Sequence, residues 1–283
     1  MRKGIVAIVA VNMIWGFEAI GIEYLMSSME PFVYTLIKLA VSVLILVPLL
    51  LIKEKRFHID RKDWPRIILC GIVGMCIYFN AENIGTELTS AAFATLVMAT
   101  VPVFGLAFDR IWFGGRITKL KVVCVMGSIA GVYLLIAGEP MGVSIRGFLV
   151  MLLGAFMWSS YIALVKPIEE KYSLTTLLTA MMLPAFIVQI PLTLLSHPQW
   201  TGLTAGNVLL AVLLGVVGVV IAEYLYVFAI GRLTVTMTSL FENVFPLTSV
   251  VFSFVIFGTS LTAVQLVGGA VILVSVTSLA LRE

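Results

Sequence analysis

The chain has 283 residues, 61% hydrophobic and 12% charged, with a mean hydropathy of +1.12 and a net charge of +3. Soluble domains carry about 45–50% apolar and about 25% charged residues, so this composition belongs to a bilayer. Ten spanning helices of about 20 residues consume about 200, and the remainder makes only short loops, which excludes a separate soluble catalytic or nucleotide-binding domain.

In chain order, apolar runs predict spans at 4–25, 31–52, 66–88, 90–112, 119–137, 145–165, 173–195, 206–229, 234–257 and 261–281. The first follows Arg2 and Lys3 as a secretory leader would, but it is long, holds Glu18 and Glu23, and has no small-residue cleavage site, so it reads as a retained span. Ser27-Ser28-Met29-Glu30-Pro31, Gly114-Gly115-Arg116, Gly138-Glu139-Pro140, His197-Pro198 and Gly231-Arg232 punctuate the runs, and 53–65 is the longest polar break. With the N-terminus inside, the inner loops hold 16 of the 18 Lys and Arg, including Lys53, Lys55 and Arg56, and the outer loops hold only Arg146. Positive loops stay cytoplasmic, so both termini are expected there, in a multi-pass protein of the cell membrane.

His58 and His197 fall in loops, and Cys70, Cys76 and Cys124 in spans, without zinc-ligand spacing. No phosphate-binding Gly-x-x-x-x-Gly-Lys-Ser/Thr is present. No cofactor, metal or nucleic acid is expected as a partner.

The two halves align at an offset near 144 residues: 89–102 (TSAAFATLVMATVP) falls on 233–246 (LTVTMTSLFENVFP), Thr118 on Thr262 and Gly74 on Gly218. One residue of slippage places Trp15 on Trp158 and Pro48 on Pro191. Five spans is an odd number, so the second copy enters from the opposite side, giving an all-α membrane protein of two inverted five-helix repeats, 1–138 and 145–283. Pro102 and Pro246, pseudo-equivalent and within spans, are candidate hinges.

On these residues the chain resembles the drug/metabolite transporter superfamily, specifically its EamA-type bacterial members. The matching marks are Trp15-Gly16, Ser90-Ala91-Ala92 followed by Pro102, Thr118 and Gly131, and Thr262, Gln265 and Gly268. Similar proteins often carry an acidic residue three positions before the Thr that opens the fifth and tenth spans, where this chain has Gly115 and Thr259. They also often carry Arg in the second span, where Lys38 stands. The resemblance implies a transporter, with export of a metabolite or amphipathic amine as the leading activity.

Five ionisable residues lie well inside spans: Glu18, Lys38, Glu82, Glu223 and Glu242. At about 2.5–3.5 kcal/mol each for a charge at a helix centre, they would together cost roughly 12–18 kcal/mol against lipid. They should therefore line an interior cavity, pair, or be protonated. Counting about 1.5 Å per residue from span ends places Glu18, Lys38 and Glu82 in one outer layer and Glu223 with Glu242 in a separate inner acidic pair. Trp15, Tyr78 and Tyr226 stand one helical turn from these acids, where aromatic faces suit an organic ammonium. Asn12, Asn80, Asn83, Ser239 and Asn243 offer hydrogen bonds to a polar ligand, with bridging between helices as the alternative for Asn12.

The reading is a secondary transporter of a small organic solute, amine or amino acid, with protons as a second partner, in a monomer or homodimer. A channel or scramblase is the alternative. An intramembrane enzyme finds no in-span histidine, paired aspartates or Gly-x-Ser-x-Gly to serve it.

Overall fold

Nine helices among the described residues of the computed structural model are long and apolar enough to cross a bilayer. They are α1 (Arg2–Met26), α2 (Pro31–Lys53), α3 (Trp64–Leu88), α4 (Ala92–Phe113), α6 (Ile145–Glu169), α7 (Leu174–Leu195), α8 (Ala205–Arg232), α9 (Val235–Ile256) and α10 (Ala263–Ala280). A tenth, α5 (Lys119–Leu135), has 17 residues, the short end of what spans about 30 Å. The structure describes residues 1–54, 57–139, 142, 144–198, 200, 202–258 and 261–282, with Ala91 and Phe257 described by backbone alone. Lys55, Arg56, Pro140, Thr259 and Glu283 lie outside the described residues.

Helix starts are written into the sequence by hydroxyl side chains. Ser90, Thr118, Ser144, Ser173, Thr204, Thr234 and Thr262 each accept a hydrogen bond from the backbone N–H three residues on, satisfying a donor that the helix leaves open. Four of these caps form two pairs, Ser90 with Thr234 and Thr118 with Thr262, that are pseudo-equivalent across the repeat.

The repeat is sharper in the backbone than in the sequence. A π-helical turn at Gly71–Ile77 in α3 recurs at Gly215–Ile221 in α8, shifted by 144 residues. Left-handed glycines end α4 at Gly114 (φ 68°) and the equivalent helix at Gly258 (φ 66°). Both α4 and α9 are interrupted in mid-span. The first helical piece ends at Met98 and the next, Val101–Phe113, carries Pro102 in its opening turn. In α9 a 3₁₀ turn, Glu242–Val244, precedes Phe245–Phe257 with Pro246 in the same position. Asn243 Nδ2 donates to the Ala99 carbonyl at 3.3 Å, so the two interruptions touch.

The two repeats interlock. The first-repeat helix α1 packs on α8 and α9, α6 packs on α3 and α4, α2 lies along α7, and α5 lies along α10. The last pair meets through glycine: a Cβ on Gly268 would fall 2.6 Å from the Gly131 carbonyl oxygen, and one on Gly131 2.9 Å from the Gly268 oxygen. Small residues bring the helix axes close enough for dispersion contacts, the usual driving term between helices in lipid.

At the end of the bundle that carries the N-terminus, polar contacts join the helices. Lys121 pairs with Asp109 at 3.3 Å, and Thr236 donates to the same carboxylate at 2.9 Å. Arg232 pairs with Glu169 at 3.0 Å, while Lys166 Nζ donates to the Ile230 and Leu233 carbonyls at 3.2 and 2.5 Å. Asp63, just before α3, accepts from the Tyr172 hydroxyl at 2.7 Å and from Lys171 at 3.2 Å. The Tyr172 hydrogen bond, and after it Lys171, hold the Asp63 carboxyl below the ordinary aspartate range.

Two outcomes follow from this packing. Gly268→Val should lower the melting temperature in detergent by the equivalent of about 1–3 kcal/mol, while Gly206→Ala, whose Cβ would meet nothing within 4 Å, should leave it unchanged. A depressed carboxyl stabilises the fold above its unfolded pKa and loses that contribution as pH falls through the folded value. Asp63→Asn should therefore melt below wild type at pH 7, and the two curves should converge on acidification; a gap that persists at low pH would contradict the ion pair's role.

Candidate functional site

Between the repeats lies a cleft with a cavity volume of about 160 Å³. Its rim carries the exposed Glu23 near the end of α1 and Thr86 near the end of α3, so it opens at the end of the bundle away from the N-terminus. Ile22, Met98, Met151, Val219 and Phe245 give it apolar walls, and Trp15, Tyr78 and Trp158 an aromatic floor. Four of the five in-span ionisable residues face it: Glu18, Lys38, Glu82 and Glu242.

Each of these side chains is held differently. Lys38 is 2% exposed, with Nζ 4.0 Å from the Phe79 ring centroid and 4.8 Å from that of Tyr34. Among the described residues the ion pairs all lie elsewhere, so the ammonium is seated on π faces, with no carboxylate within 4.0 Å. It remains within electrostatic range of Glu18, Glu82 and Glu223. The carboxylate of Glu82 accepts from the Tyr78 hydroxyl one turn earlier at 2.7 Å. That of Glu242, on the 3₁₀ turn that interrupts α9, accepts from Trp158 Nε1 at 2.8 Å and from the Tyr226 hydroxyl. Glu18 lies flat on Gly218, where a Cβ would stand 1.9 Å from its Oε2. Trp15 Nε1 donates to the Gly218 carbonyl at 3.0 Å, so the π-helical turn of α8 receives both side chains of α1. π turns of this kind frequently mark functional sites.

Behind the cleft wall the rings form one continuous cluster. Trp158 stacks on Tyr226 (centroids 5.2 Å, planes 16° apart) and touches Tyr78 at 4.3 Å, Tyr161 at 5.0 Å and Trp15 at 5.8 Å. Glu223 is buried within this layer, 1% exposed and outside the cleft lining, and accepts from the Tyr161 hydroxyl at 3.0 Å.

The residues expected from the sequence are thus gathered, with one correction. The separation into an outer network and an inner acidic pair does not hold, since Glu242 lines the same cleft as Glu18, Lys38 and Glu82, and Glu223 lies within range of Glu18 and Lys38. Depth counted from span ends overshoots here because α8 has 28 residues, about 42 Å of helix against an apolar core of about 30 Å, so it cannot stand upright within the core. Glu223 and Glu242 are also not in contact, each being bound to its own tyrosine. Tyr226 is wholly buried and reaches Glu242 rather than the Glu223 of its own helix.

The amides largely serve the protein itself. Asn80 bonds Gln189 at 2.7 Å, Asn83 bonds Thr35 at 3.0 Å, and Asn243 bonds Ser128 at 2.8 Å. Sequence reasoning passed over Trp158, Tyr161 and Tyr34 as site residues. The repeat offset held a signal for two of them, because Trp158 is the counterpart of Trp15 and Tyr161 that of Glu18.

Comparison with known proteins places the chain in a class of membrane transporters: residues 2–137 and 145–281 each match the EamA-like transporter family. The chain belongs to that family and is a multi-pass membrane protein whose relatives are transporters, not enzymes. A protein of Archaeoglobus fulgidus described as an uncharacterized transporter is 26% identical over 177 residues, 62% of each chain. The match thus spans less than two thirds of that relative. A probable terminal-alkyne amino-acid exporter of Streptantibioticus cattleyicolor is 28% identical over 214 residues, 74% of this chain and 70% of that one. A crystal structure superposes with a TM-score of 0.84 at 18% identity, covering 100% of this chain and 99% of its own, which shows a shared fold.

Because the atoms crowding Gly218 are the mobile end of Glu18, Gly218→Ala should fold but displace that carboxylate from the cleft. Its melting temperature should stay near wild type while ligand-induced stabilisation falls by half or more; an undiminished ligand shift would contradict a role for Glu18 in binding.

Proposed function

We propose that the protein is a secondary transporter that exports a small neutral amino acid by alternating access, with a proton as counter-ion. The observation that carries this reading is the single ammonium, Lys38, lining the same apolar and aromatic cleft as the in-span carboxylates of Glu18, Glu82 and Glu242. An α-amino acid presents the complementary pair of charges. Its carboxylate goes to Lys38, its ammonium to Glu18, Glu82 and Glu242 with the faces of Trp15, Tyr78 and Trp158, and its side chain to the wall of Ile22, Met98 and Met151. The name of the Streptantibioticus relative, an amino-acid exporter, favours the same class of solute.

The distribution of Lys and Arg supports cytoplasmic termini, which makes the open end of the cleft the outer one. The two repeats, 1–138 and 145–283, then rock about the interruptions at Pro102 and Pro246, while Glu223 and Tyr226 belong to the wall between them. The polar ties at the terminus-bearing end argue against a channel, because a cleft closed at one end passes solute only when those ties part.

Purified protein in liposomes should show saturable counterflow of labelled L-leucine. Unlabelled leucine should compete, whereas isopentylamine and 4-methylpentanoate, which each lack one of the two charges, should not. Competition by the amine alone would replace this reading with transport of an organic cation. Lys38→Met should weaken leucine binding about tenfold or more, the worth of about 1.5–3 kcal/mol for a hydrogen bond to a charge, and Lys38→Arg should weaken it less. Equal activity in the two variants would remove Lys38 from the site.

A further inference from the structure

Among the five in-span ionisable residues, Glu223 alone does not face the cleft. It lies one layer behind the wall: Gly218, five residues earlier on α8, lines the cleft, and so does Trp158, whose ring lies 5.0 Å from that of Tyr161. A solute in the cleft therefore meets Trp158 and Gly218 rather than Glu223. We propose that Glu223, hydrogen-bonded to Tyr161, is the proton-binding site of this protein, set apart from the carboxylates that hold the solute. The proposal rests on the transport reading above and adds to it the place where the counter-ion binds.

The chemistry of the pair fits a group that changes its protonation state. A tyrosine hydroxyl donates to a carboxylate and accepts from a carboxylic acid, so the Tyr161–Glu223 bond, 3.0 Å long, can persist in both forms. Among the described residues no contact cation locks Glu223 in the ionised form. The titratable and charged groups around it come from every side. Glu18 faces it from α1, Lys38 from α2, Tyr78 from α3, Tyr161 from α6 and Glu242 from α9, with Tyr226 on its own helix and Cys70 behind Tyr161. α7, also packed on α8, brings no titratable side chain among residues 174–195.

This surrounding supplies a means of coupling. Glu18 and Glu242 are shared, the former as a charge felt by Glu223 and the latter as one that feels it. When a solute ammonium binds between the cleft carboxylates, it adds positive charge within range of Glu223 and favours the carboxylate form there. Glu223 then gives up one proton to water on the side toward which the cleft is open, as the O–H bond breaks and its electron pair stays on the carboxylate. When the solute leaves, Glu223 takes a proton back. Solute and proton therefore alternate, which is the linkage that an inward proton gradient requires to drive export.

The test uses wild-type, Glu223→Gln and Tyr161→Phe proteins in liposomes with labelled L-leucine. Two transport readouts are compared, counterflow at equal pH and accumulation driven by a pH gradient. At saturating leucine Glu223→Gln, fixed in the neutral form, should keep counterflow within about twofold of wild type, with the half-saturating leucine concentration raised, and should lose gradient-driven accumulation tenfold or more. Tyr161→Phe should keep both, with the pH dependence of the driven reaction displaced. Infrared difference spectra on leucine addition should show a protonated-carboxyl band disappearing in the wild type, shifted in Tyr161→Phe and absent in Glu223→Gln. Gradient-driven accumulation that survives Glu223→Gln, loss of counterflow together with it, or an unshifted band in Tyr161→Phe would each overturn the assignment. Absence of counterflow in the wild type would instead overturn the transport reading beneath it.

Discussion

Hydrocarbon does not solvate charge, and that constraint organises this molecule. Four carboxyls and one ammonium within spans would cost roughly 12–18 kcal/mol if they faced lipid as ions, as much as or more than the roughly 5–15 kcal/mol that holds an ordinary domain folded. Four of them instead face a cleft and the fifth bonds a tyrosine in the wall behind it. Two helices stop and restart at that level, and Asn243 of one interruption closes on the Ala99 carbonyl of the other. Irregular backbone at membrane depth is tolerable where protein meets the freed polar groups, and here Asn243 does so for the Ala99 carbonyl.

The repeat supplies a nearly symmetric backbone on which the side chains have diverged. Glu18 and Tyr161 hold equivalent positions, and each packs on the equivalent glycine of a π-helical turn, Gly218 for one and Gly74 for the other. Glu223 corresponds to Phe79, the ring that carries Lys38, and Glu82 corresponds to Tyr226, the hydroxyl that binds Glu242. Trp15 and Trp158 remain tryptophan, yet one donates to a backbone carbonyl and the other to a carboxylate. Symmetry provides two similar halves, while the divergence leaves the cleft with one ammonium among several carboxylates.

The architecture was legible because bilayer helices announce themselves by length and hydropathy, and because coincident prolines and tryptophans survive divergence that erases apolar identity. The ionisable residues were legible for the same energetic reason that gathers them. Their arrangement was not. Depth counted along α8 could not register that 28 residues exceed the apolar core, and the turn at Glu242–Val244 redirects a side chain in a way no helical period anticipates. Lys38 lies within electrostatic range of Glu18 and Glu82, yet the groups it touches are rings: Tyr34, one turn earlier on α2, which helical spacing places beside it, and Phe79 of α3, which only tertiary packing brings there. The amides illustrate the opposite error, since Asn80 and Asn83 looked available to a ligand and are spent on neighbouring helices.

The central claim is that water reaches these acids between the repeats from the side opposite the termini. It is tested most directly by placing a single cysteine at Ala19, on the cleft wall one residue beyond Glu18, in a protein whose own Cys70, Cys76 and Cys124 are buried. A membrane-impermeant, positively charged thiol reagent added outside intact cells should label Ala19→Cys, and leucine should protect it. A cysteine that reacts only from the cytoplasmic side, or only with a lipid-soluble reagent, would contradict the account.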